Sequence, residues 1–518
     1  MENVWRQTLG DILHRSAART PRKTAIVCGS VSWTFAEFDA ACDRVATGLA
    51  GIGVKAGDRF AILSRNSHAF AALRFALARL GAVLVPINFM LNAQEAGFIL
   101  GHAGARFLAV GPDLVELGRQ ASSRDTKVER LIWLPGEDVT TGAPEGMLTF
   151  DALLATEARP VEAAVDARSL AQIVYTSGTE SLPKGAMLTH QAVLWEYVSC
   201  IIEGEIAGGD RLLHALPLYH CAQLDVFLGP AIYVGATSVI TGKPAPDNIL
   251  ALLEKHGANS FFAPPSIWIA LLRSPNFDKT DLSKLSKGYY GAAIMPVAVL
   301  EELGRRLPRV RLWNFYGQTE IAPLATVLKP EDQVRKAGSA GRAVINVETR
   351  VVDDQMRDVR PASGEVGEIV HRSPQLLDGY YDDEQRTADA FAGGWFHSGD
   401  LATIDEEGYI TVVDRKKDMI KSGGENVASR EVEEKIYQHP EISEVAVVGL
   451  PDPYWIEAVT AVIVLKPGGS LTEAAVIEHC KPRMAGFKVP KRVVFVESLP
   501  KNPSGKLLKR ELRARLKD

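Results

Sequence analysis

The chain has 518 residues, more than one hydrophobic core usually serves, so we expect at least two domains. Hydrophobic residues make up 46% and charged residues 23%, as in globular proteins, and a formal charge of -5 gives no overall bias towards nucleic acid or anionic membranes. Five scattered cysteines without C-x-x-C spacing argue against a disulfide framework and a zinc site, and favour a reducing cytoplasm.

As far as about residue 410, helical stretches alternate with short runs rich in Val, Ile and Leu, which is typical of layered α/β architecture. We expect no signal peptide, because no basic stretch followed by an apolar one opens the chain. We also expect no membrane span, because the longest apolar run, 226–240, is broken by Gly and Pro. A helix is predicted over 70–80, and a strand over 82–86 follows it directly.

The segment 175–186 crowds small, hydroxylic and basic residues after a short predicted strand, and reads Tyr-Thr-Ser-Gly-Thr-Glu-Ser-Leu-Pro-Lys-Gly-Ala. Its glycines let the loop curl with backbone amides pointing inward, and its hydroxyl and ammonium groups can bind phosphate. These groups belong to Thr176, Ser177, Gly178, Thr179, Lys184 and Gly185. We interpret the loop as a cradle for nucleotide phosphates, although not of the G-x-x-x-x-G-K-[ST] kind, which needs Ser or Thr directly after its Lys. A Ser/Thr-rich surface turn is the alternative.

Thr189 is predicted to cap a helix after this loop, so that the loop would join a strand to a helix. Farther along, 216–223 places His220 between apolar neighbours, where it could orient a carboxylate or be an ordinary core histidine. The segment 288–293 sets small residues beside aromatic ones, which suits a flat base and equally suits ordinary tight packing.

Two carboxylates then follow in contexts that favour nucleotide binding. Glu320 ends the run 314–320, Asn-Phe-Tyr-Gly-Gln-Thr-Glu, and could share Mg²⁺ with Thr176 and phosphate oxygens. Asp400 follows a predicted tight turn in 395–400, Trp-Phe-His-Ser-Gly-Asp, and a buried Asp there suits the two hydroxyls of a ribose. An ordinary exposed Glu and a turn-capping Asp are the alternatives.

Five charged residues in a row, 414–418, follow a predicted strand at 409–413 and predict a domain boundary, beyond which we expect a compact α+β unit. The segment 501–506, Lys-Asn-Pro-Ser-Gly-Lys, puts Lys506 on a loop ahead of a final basic helix. There Lys506 could stabilise charge that moves between an attacking carboxylate and an α-phosphate, or it could be a solvated lysine of a basic tail.

In this order and at these distances, the motifs resemble those of the adenylate-forming superfamily of acyl-CoA synthetases, adenylation domains and beetle luciferases. The resemblance covers essentially the whole chain, from the loop ending Pro-Lys-Gly to the terminal Pro-Ser-Gly-Lys. It implies an α/β fold with a large multi-layered N-terminal domain, 1–413, a hinge, 414–417, and a small mobile α+β C-terminal domain, 418–518. The hinge pivot would be Lys417, where acyl-CoA synthetases often have Asp.

The resemblance also implies two half-reactions in one site. A carboxylate attacks the α-phosphorus of Mg-ATP to give an acyl-adenylate and pyrophosphate, and the thiol of coenzyme A then displaces AMP to give a thioester. Mg²⁺ is the implied cofactor and ATP and CoA are the co-substrates, so the partners are small molecules rather than nucleic acid or membrane. The small domain would rotate between the two steps. A homodimer is an open alternative, since the family often forms dimers.

Site residues carry over from the family by position. The ATP and AMP site would comprise Thr176, Ser177, Gly178, Thr179, Lys184, Gly291, Ala292, Ala293, Asn314, Tyr316, Gly317, Thr319, Asp400, Arg415 and Lys506. Within it, Tyr316 would stack on adenine, and Asp400 and Arg415 would hold the ribose. The catalytic set would be Thr176, His220, Glu320 and Lys506, with Mg²⁺ on Thr176 and Glu320. The acyl pocket would include His220, Gln223, Phe227 and Gly291, and the bare backbone wall for the pantetheine arm of CoA would be Gly423 and Gly424.

The chain departs from the family pattern at two further places. The phosphate loop commonly reads Thr-Thr-Gly where this chain has Thr179, Glu180 and Ser181, which adds a negative charge beside phosphates. Ile456 stands where the family usually places Gly in Trp-Gly-Glu, beside the surface expected to face CoA.

The leading functional hypothesis is an AMP-forming acid–CoA ligase with a medium- or long-chain fatty acid as its substrate. An aromatic acid of the benzoate or cinnamate type is the alternative substrate. The nearest rival activity is a ligase that passes the acyl group to a carrier protein. A regulatory protein without catalysis is a rival of another class, and the presence of Glu320, Asp400 and Lys506 argues against it.

Overall fold

The computed structural model describes residues 6–123, 125–138, 142–159, 165–176, 183–293, 295–416, 418–422, 425–501 and 507–516. The helices, in chain order, are α1 (Leu9–Arg19), α2 (Phe35–Gly51), α3 (His68–Leu80), α4 (Ala93–Ala103), α5 (Val115–Ser122), α6 (Phe150–Leu154), α7 (His190–Glu203), α8 (Cys221–Gln223), α9 (Gly229–Val234), α10 (Pro246–His256), α11 (Pro265–Arg273), α12 (Val297–Arg306), α13 (Glu384–Ala390), α14 (Ser429–Tyr437), α15 (Glu473–Cys480) and α16 (Lys509–Leu516).

The strands alternate with these helices in the way that the apolar runs predict. They are β1 (Thr24–Cys28), β2 (Val31–Thr34), β3 (Arg59–Leu63), β4 (Val83–Pro86), β5 (Phe107–Val110), β6 (Arg130–Trp133), β7 (Leu148–Thr149), β8 (Leu170–Thr176), β9 (Lys184–Thr189), β10 (Arg211–His214), β11 (Thr237–Ile240), β12 (Ser260–Phe262), β13 (Lys287–Gly291), β14 (Arg311–Gly317), β15 (Leu324–Leu328), β16 (Arg342–Ala343), β17 (Glu348–Val352), β18 (Gly367–Arg372), β19 (Gly379–Tyr380), β20 (Phe396–Ile404), β21 (Ile410–Arg415), β22 (Ile420–Ser422), β23 (Glu425–Val427), β24 (Ile442–Asp452), β25 (Ile456–Leu465) and β26 (Arg492–Phe495).

Two large mixed sheets form the body of the molecule. One has nine strands in the order β16-β15-β14-β13-β12-β10-β11-β1-β2, and the other has eight in the order β19-β9-β8-β4-β3-β5-β6-β7. Their central pairs, such as β12 with β13 and β3 with β4, are parallel, and helices connect these strands, as parallel pairing requires. The order confirms the predicted α/β class with a large multi-layered N-terminal part.

Helix α3 lies in the largest hydrophobic core, which joins the two large sheets through residues such as Ile26 of β1 and Leu84 of β4. Almost every residue of α3 is buried, because its sequence is apolar on all sides apart from His68, Arg74 and Arg79. The N-cap Ser67 accepts a hydrogen bond from Phe70 N–H at 3.2 Å, and Gly81 ends the helix in a left-handed conformation.

Two smaller sheets complete the fold. One is the antiparallel sheet β17-β18-β20-β21, and the other is the C-terminal sheet β23-β22-β25-β24, with β26 paired to β25. The predicted hinge, 414–417, begins inside β21, and Lys417 lies outside the described residues. Within the described ranges, no helix combines the length and apolar character needed to cross a membrane.

Two local predictions need correction. The segment 175–186 does not join a strand to a helix, because the strand β9 pairs antiparallel with β8 and the Thr189-capped helix α7 begins only after it. The alternation in Ala186-Met-Leu-Thr189 was too short to identify this strand. Asp400 does not follow a tight turn but lies inside β20, opposite Arg415 of β21.

Candidate functional site

A cavity of about 600 Å³ lies where the ends of the two large sheets meet the four-stranded sheet. It brings together most of the predicted site residues that the structure describes, namely Thr176, Lys184, His220, Phe227, Gly291, Ala292, Ala293, Asn314, Tyr316, Gly317, Thr319, Glu320, Asp400 and Arg415. The predicted residues Ser177, Gly178, Thr179, Lys417, Gly423, Gly424 and Lys506 lie outside the described part of the chain.

Parallel pairing explains why residues distant in sequence meet here. The strands β13 and β14 pair in register from Lys287 with Arg311 to Gly291 with Phe315, so their carboxyl ends open at the same edge. Gly291 is required at that edge, because a Cβ there would lie 2.3 Å from the backbone oxygen of Phe315. Gly291 thus allows β13 and β14 to approach closely, and it also lines the cavity.

A buried carboxylate and a lysine face each other at the polar end of the cavity. Lys184 Nζ lies 2.8 Å from Glu320 Oε1 and donates a hydrogen bond to the Tyr380 hydroxyl at 2.6 Å, which in turn donates to Glu320 Oε1 at 3.0 Å. Burial alone would raise the pKa of Glu320, but the charge and hydrogen bond of Lys184 bring it below its usual value. Glu320 is therefore an anion at neutral pH.

A second buried carboxylate lies at the edge of the four-stranded sheet. Asp400 Oδ1 lies 2.9 Å from Arg415 Nε, and Asp400 Oδ2 accepts a hydrogen bond from the Tyr316 hydroxyl at 2.7 Å. Burial and the nearby Asp400 charge raise the pKa of Tyr316, so the phenol keeps its proton. Asn314 donates from Nδ2 to the backbone oxygen of Ser339 at 2.9 Å, which fixes its amide at the same edge.

His220 and Cys221 line the cavity between its polar and apolar ends. His220 Nδ1 accepts a hydrogen bond from Ala222 N–H at 3.1 Å and so caps the short helix α8. Cys221 Sγ lies 3.3 Å from Thr319 Oγ1, and burial raises the pKa of this thiol, which stays neutral. Both residues line the cavity at the place where its polar and apolar parts join.

The apolar end of the cavity has aromatic walls. The rings of Phe227 and Phe262 stack with centroids 4.5 Å apart, and Phe227 also stacks on Phe315 at 5.8 Å. Gln223 is not among the lining residues, because its side chain is buried and donates to His214 Nδ1 at 2.7 Å. Further lining side chains at this end are Ala222, Val226, Tyr290, Met295 and Leu324.

Two known families match successive parts of the chain. The AMP-binding enzyme family matches residues 13–381, and the AMP-binding enzyme C-terminal domain matches residues 431–506. The chain belongs to the AMP-binding enzyme family. It is an ATP-dependent, AMP-forming acid–CoA ligase that acts through an acyl-adenylate, with ATP and CoA as co-substrates and Mg²⁺ as cofactor.

Relatives of this ligase share nearly its whole length. It is 36% identical over 510 residues to a feruloyl-CoA synthase from Amycolatopsis sp, covering 98% of this chain and 99% of the relative. It is 35% identical to the long-chain-fatty-acid–CoA ligase FadD13 of Mycobacterium tuberculosis, covering 98% of both. The solved structure of the anthranilate CoA ligase AuaEII with anthranoyl-AMP matches with a TM-score of 0.89 at 27% identity, over 99% of this chain and 97% of that one.

The cavity of the ligase offers a fit for Mg²⁺ through few protein ligands. Thr176 Oγ1 is buried and has no hydrogen-bond partner among the described residues, and the Glu320 carboxylate lines the same cavity. In the part of the chain that the structure describes, no cluster of three His, Cys, Asp or Glu could hold a metal ion. An ion here would therefore take most of its ligands from phosphate oxygens and water, which Mg²⁺ accepts readily.

Sequence reasoning missed several residues of this ligase site. Tyr380 bridges Lys184 and Glu320, but nothing in the sequence around Gly379–Tyr380 distinguishes it from an ordinary edge strand. Phe262 lies in β12 and would have been found only by aligning the carboxyl ends of neighbouring strands. Cys221 could have been found from its position directly after His220.

Proposed function

We propose that the carboxylic acid of this ligase has a flat apolar body, of the aryl or arylalkenoic type. The observation that carries the proposal is the stacked pair Phe227 and Phe262, whose rings lie 19° from parallel at the apolar end of the cavity. Because the Phe227 ring stacks on both Phe262 and Phe315, these rings would present their edges to a ligand, and the face of an aromatic acid would gain edge-to-face contact in addition to apolar burial. The likeness to a feruloyl-CoA synthase and to a ligase with anthranoyl-AMP supports the same class.

The expected fatty acid remains the second candidate. The lining side chains Val226, Met295 and Leu324 are aliphatic and would also accept an alkyl chain. The 35% identity to a long-chain-fatty-acid–CoA ligase supports this candidate.

The nucleotide would occupy the polar end of the cavity. Tyr316 and the bare backbone at Gly291 would enclose adenine, and Asp400, held by Arg415, would accept hydrogen bonds from the ribose hydroxyls. Lys184 would exchange Glu320 for the phosphates, because its ammonium is a mobile point charge. Thr176 and Glu320 would hold Mg²⁺, which when bound neutralises phosphate charge.

The acid would bind with its carboxylate beside His220 and its body against Phe227. One carboxylate oxygen then attacks the α-phosphorus, pyrophosphate leaves, and the acyl-adenylate keeps its ring in the same apolar end. Lys506 is proposed to assist this step, and Gly423 and Gly424 are proposed to border the pantetheine arm in the second step, after rotation of the 418–518 part at 414–417.

Pyrophosphate release across a panel of carboxylic acids, with and without CoA, tests the proposal. We expect the highest kcat/KM for an arylpropenoic or benzoic acid, and a rise in turnover when CoA is added. A fatty acid of twelve to sixteen carbons that exceeded every aryl acid would contradict the aryl proposal and favour the second candidate. Equal, weak release for every acid would contradict both.

A further inference from the structure

A π-helical turn, Leu224–Leu228, forms one wall of the apolar end of the cavity. It follows α8 and precedes α9, and the Gly229 N–H donates to Leu224 O, five residues earlier, instead of four. This wider turn sends Val226 and Phe227 into the cavity. Such turns are rare and often occur at functional sites, because they change the direction of the side chains that follow.

Asp225 occupies the opposite side of this turn and is fully buried away from the cavity lining. It accepts hydrogen bonds from side chains of three other elements. Arg74 Nη2 of α3 donates to Oδ1 at 3.0 Å, Gln172 Nε2 of β8 donates to Oδ2 at 2.7 Å, and the Tyr197 hydroxyl of α7 donates to Oδ1 at 3.2 Å. We call these four residues the Asp225 anchor.

The backbone at the end of the turn packs closely against Tyr197. A Cβ on Gly229 would lie 2.0 Å from Cζ of Tyr197, so the chain can pass Tyr197 only where the residue has no side chain. The turn is thus held by polar contacts at Asp225 and by steric contact at Gly229. Both sets of contacts involve Tyr197 of α7.

An ion pair in a protein core adds little to stability, since the desolvation of both ions costs about as much free energy as their attraction contributes. The Arg74–Asp225 pair is almost entirely buried, with side-chain exposures of 2% and 0%. An apolar pair would fill the same space but would not fix the orientation of the turn. Charge-assisted hydrogen bonds to both oxygens of Asp225 are directional. They therefore fix the orientation of the turn that carries Asp225.

The anchor also connects the acyl and phosphate ends. Gln172 belongs to β8, which ends at Thr176 on the polar side of the cavity. The turn carrying Phe227 is therefore fixed relative to the strand that carries Thr176. The distance between these two walls limits how long an acid can be when its carboxylate lies at the phosphate end.

We propose that Arg74, Gln172, Tyr197 and Asp225 are positioning residues that set the depth of the acyl end and thereby select among acids by length. They act through Val226 and Phe227 and touch neither acid nor nucleotide. The inference rests on the proposed function, because it needs the apolar end of the cavity to hold the acid.

The test compares two acids in pyrophosphate release, namely the preferred acid of the native enzyme and the same acid lengthened by one methylene. In Asp225→Asn, we expect the ratio of their kcat/KM values to fall by about tenfold, the discrimination that one methylene commonly carries. The KM for ATP should stay within about twofold of native, since the nucleotide contacts are not altered. A purely structural role would lower both acids alike and leave the ratio unchanged.

A second variant covers the case in which Asp225→Asn fails to fold with Arg74 unpaired. Gln172→Met keeps the Arg74–Asp225 ion pair and the side-chain length but removes the hydrogen-bond donor to Asp225 Oδ2. It should lower the kcat/KM ratio by a smaller factor than Asp225→Asn does. Asp210→Asn is the matched control, because Asp210 pairs with Lys287 at 2.8 Å and is also buried, but neither residue lines the cavity. It should keep the native ratio.

The outcomes separate the two claims. A native enzyme that does not discriminate among acids overturns the proposed function and this inference together, before any variant is compared. A native preference that is kept by a folded Gln172→Met and by Asp225→Asn, where that variant folds, overturns the positioning role alone. If Asp210→Asn lowers the kcat/KM ratio as much as the anchor variants do, the positioning role is also overturned.

Discussion

Two buried carboxylates, Glu320 and Asp400, line the cavity, and each is paired with a cation. Lys184 forms an ion pair with Glu320, and Arg415 forms one with Asp400. The cations differ in a useful way. The Lys184 ammonium is a compact charge that can turn towards a phosphate, whereas the planar Arg415 guanidinium holds Asp400 in one orientation.

Replacing Glu320 tests the phosphate end. In Glu320→Gln, we expect kcat for pyrophosphate release to fall by about 10²-fold, because the charge that would bind Mg²⁺ and orient Lys184 is lost. The measurement is initial rate against Mg²⁺ concentration, and the variant should need more Mg²⁺ for half-maximal rate. A native rate and a native Mg²⁺ dependence would contradict the proposed role.

Replacing Asp400 tests the ribose end. Asp400→Asn should raise the KM for ATP by about tenfold, because a hydrogen bond to a charged acceptor is replaced by one to a neutral amide. In the native enzyme, 2′-deoxy-ATP should also bind less well than ATP. The KM values for ATP and 2′-deoxy-ATP should differ less in Asp400→Asn than in the native enzyme. If the variant kept the native difference between these KM values, Asp400 would not contact the ribose.

At the scale of elements, the site depends on the carboxyl ends of neighbouring strands. Much of this could be predicted, since helix α3, strand β4 and the Thr189 cap of α7 followed from apolar spacing and from capping chemistry. The strand β9 could not, because its few apolar residues are next to glycine and its pairing with β8 is a tertiary contact. The outward course of Gln223, which the family pattern placed in the acyl pocket with Phe227, could not be predicted either, since it depends on a hydrogen bond to His214 that forms only after folding.

Close approach of β13 and β14 gives a prediction about stability. Gly291→Ala should lower the free energy of unfolding by about 1 to 3 kcal/mol, because the new methyl group would press on the Phe315 backbone. Gly304→Ala is the control, since Gly304 lies inside α12 with nothing within 4 Å of an added Cβ. That change should raise stability by up to about 1 kcal/mol through helix propensity.

Urea unfolding monitored by circular dichroism measures both changes. If the free energy of unfolding of Gly291→Ala were as high as that of Gly304→Ala, the strands β13 and β14 would have more room at this edge than the structure shows.

At the scale of the whole molecule, four histidines are buried as neutral groups. Burial lowers the pKa of His190 and His214 to about 3, and of His68 and His371 to about 4. Below pH 6.5, the unfolded chain binds protons at these imidazoles while the folded chain does not. The free energy of unfolding should therefore fall as the pH drops from 6.5 towards 4.

Each buried histidine should contribute a slope of up to about 1.4 kcal/mol per pH unit in that range. His371→Gln removes one such group and should make the dependence shallower, although it lowers stability at neutral pH. Urea midpoints at half-unit steps from pH 4.5 to 7.5 measure the slope. A midpoint that did not change between pH 4.5 and 6.5 would contradict the account.

For the molecule as a whole, we propose that one cavity activates the acid and then delivers it to CoA. The motifs predicted the polar end of that cavity, because phosphate, ribose and metal chemistry restrict residue types strongly. The family pattern placed Phe227 in the acyl pocket, but it did not predict Phe262 or its stacking on Phe227, since apolar residues of distant elements meet only after folding.

The most direct test of the claim is a single-turnover experiment with an aryl acid and Mg-ATP, quenched before and after addition of CoA and analysed by mass spectrometry. We predict that aryl-AMP and pyrophosphate form in an amount equal to the enzyme before CoA is added, and that CoA then converts the aryl-AMP to thioester and AMP. Release of ADP and phosphate, or the absence of enzyme-bound aryl-AMP before CoA while a fatty acid gives acyl-AMP, would contradict the account.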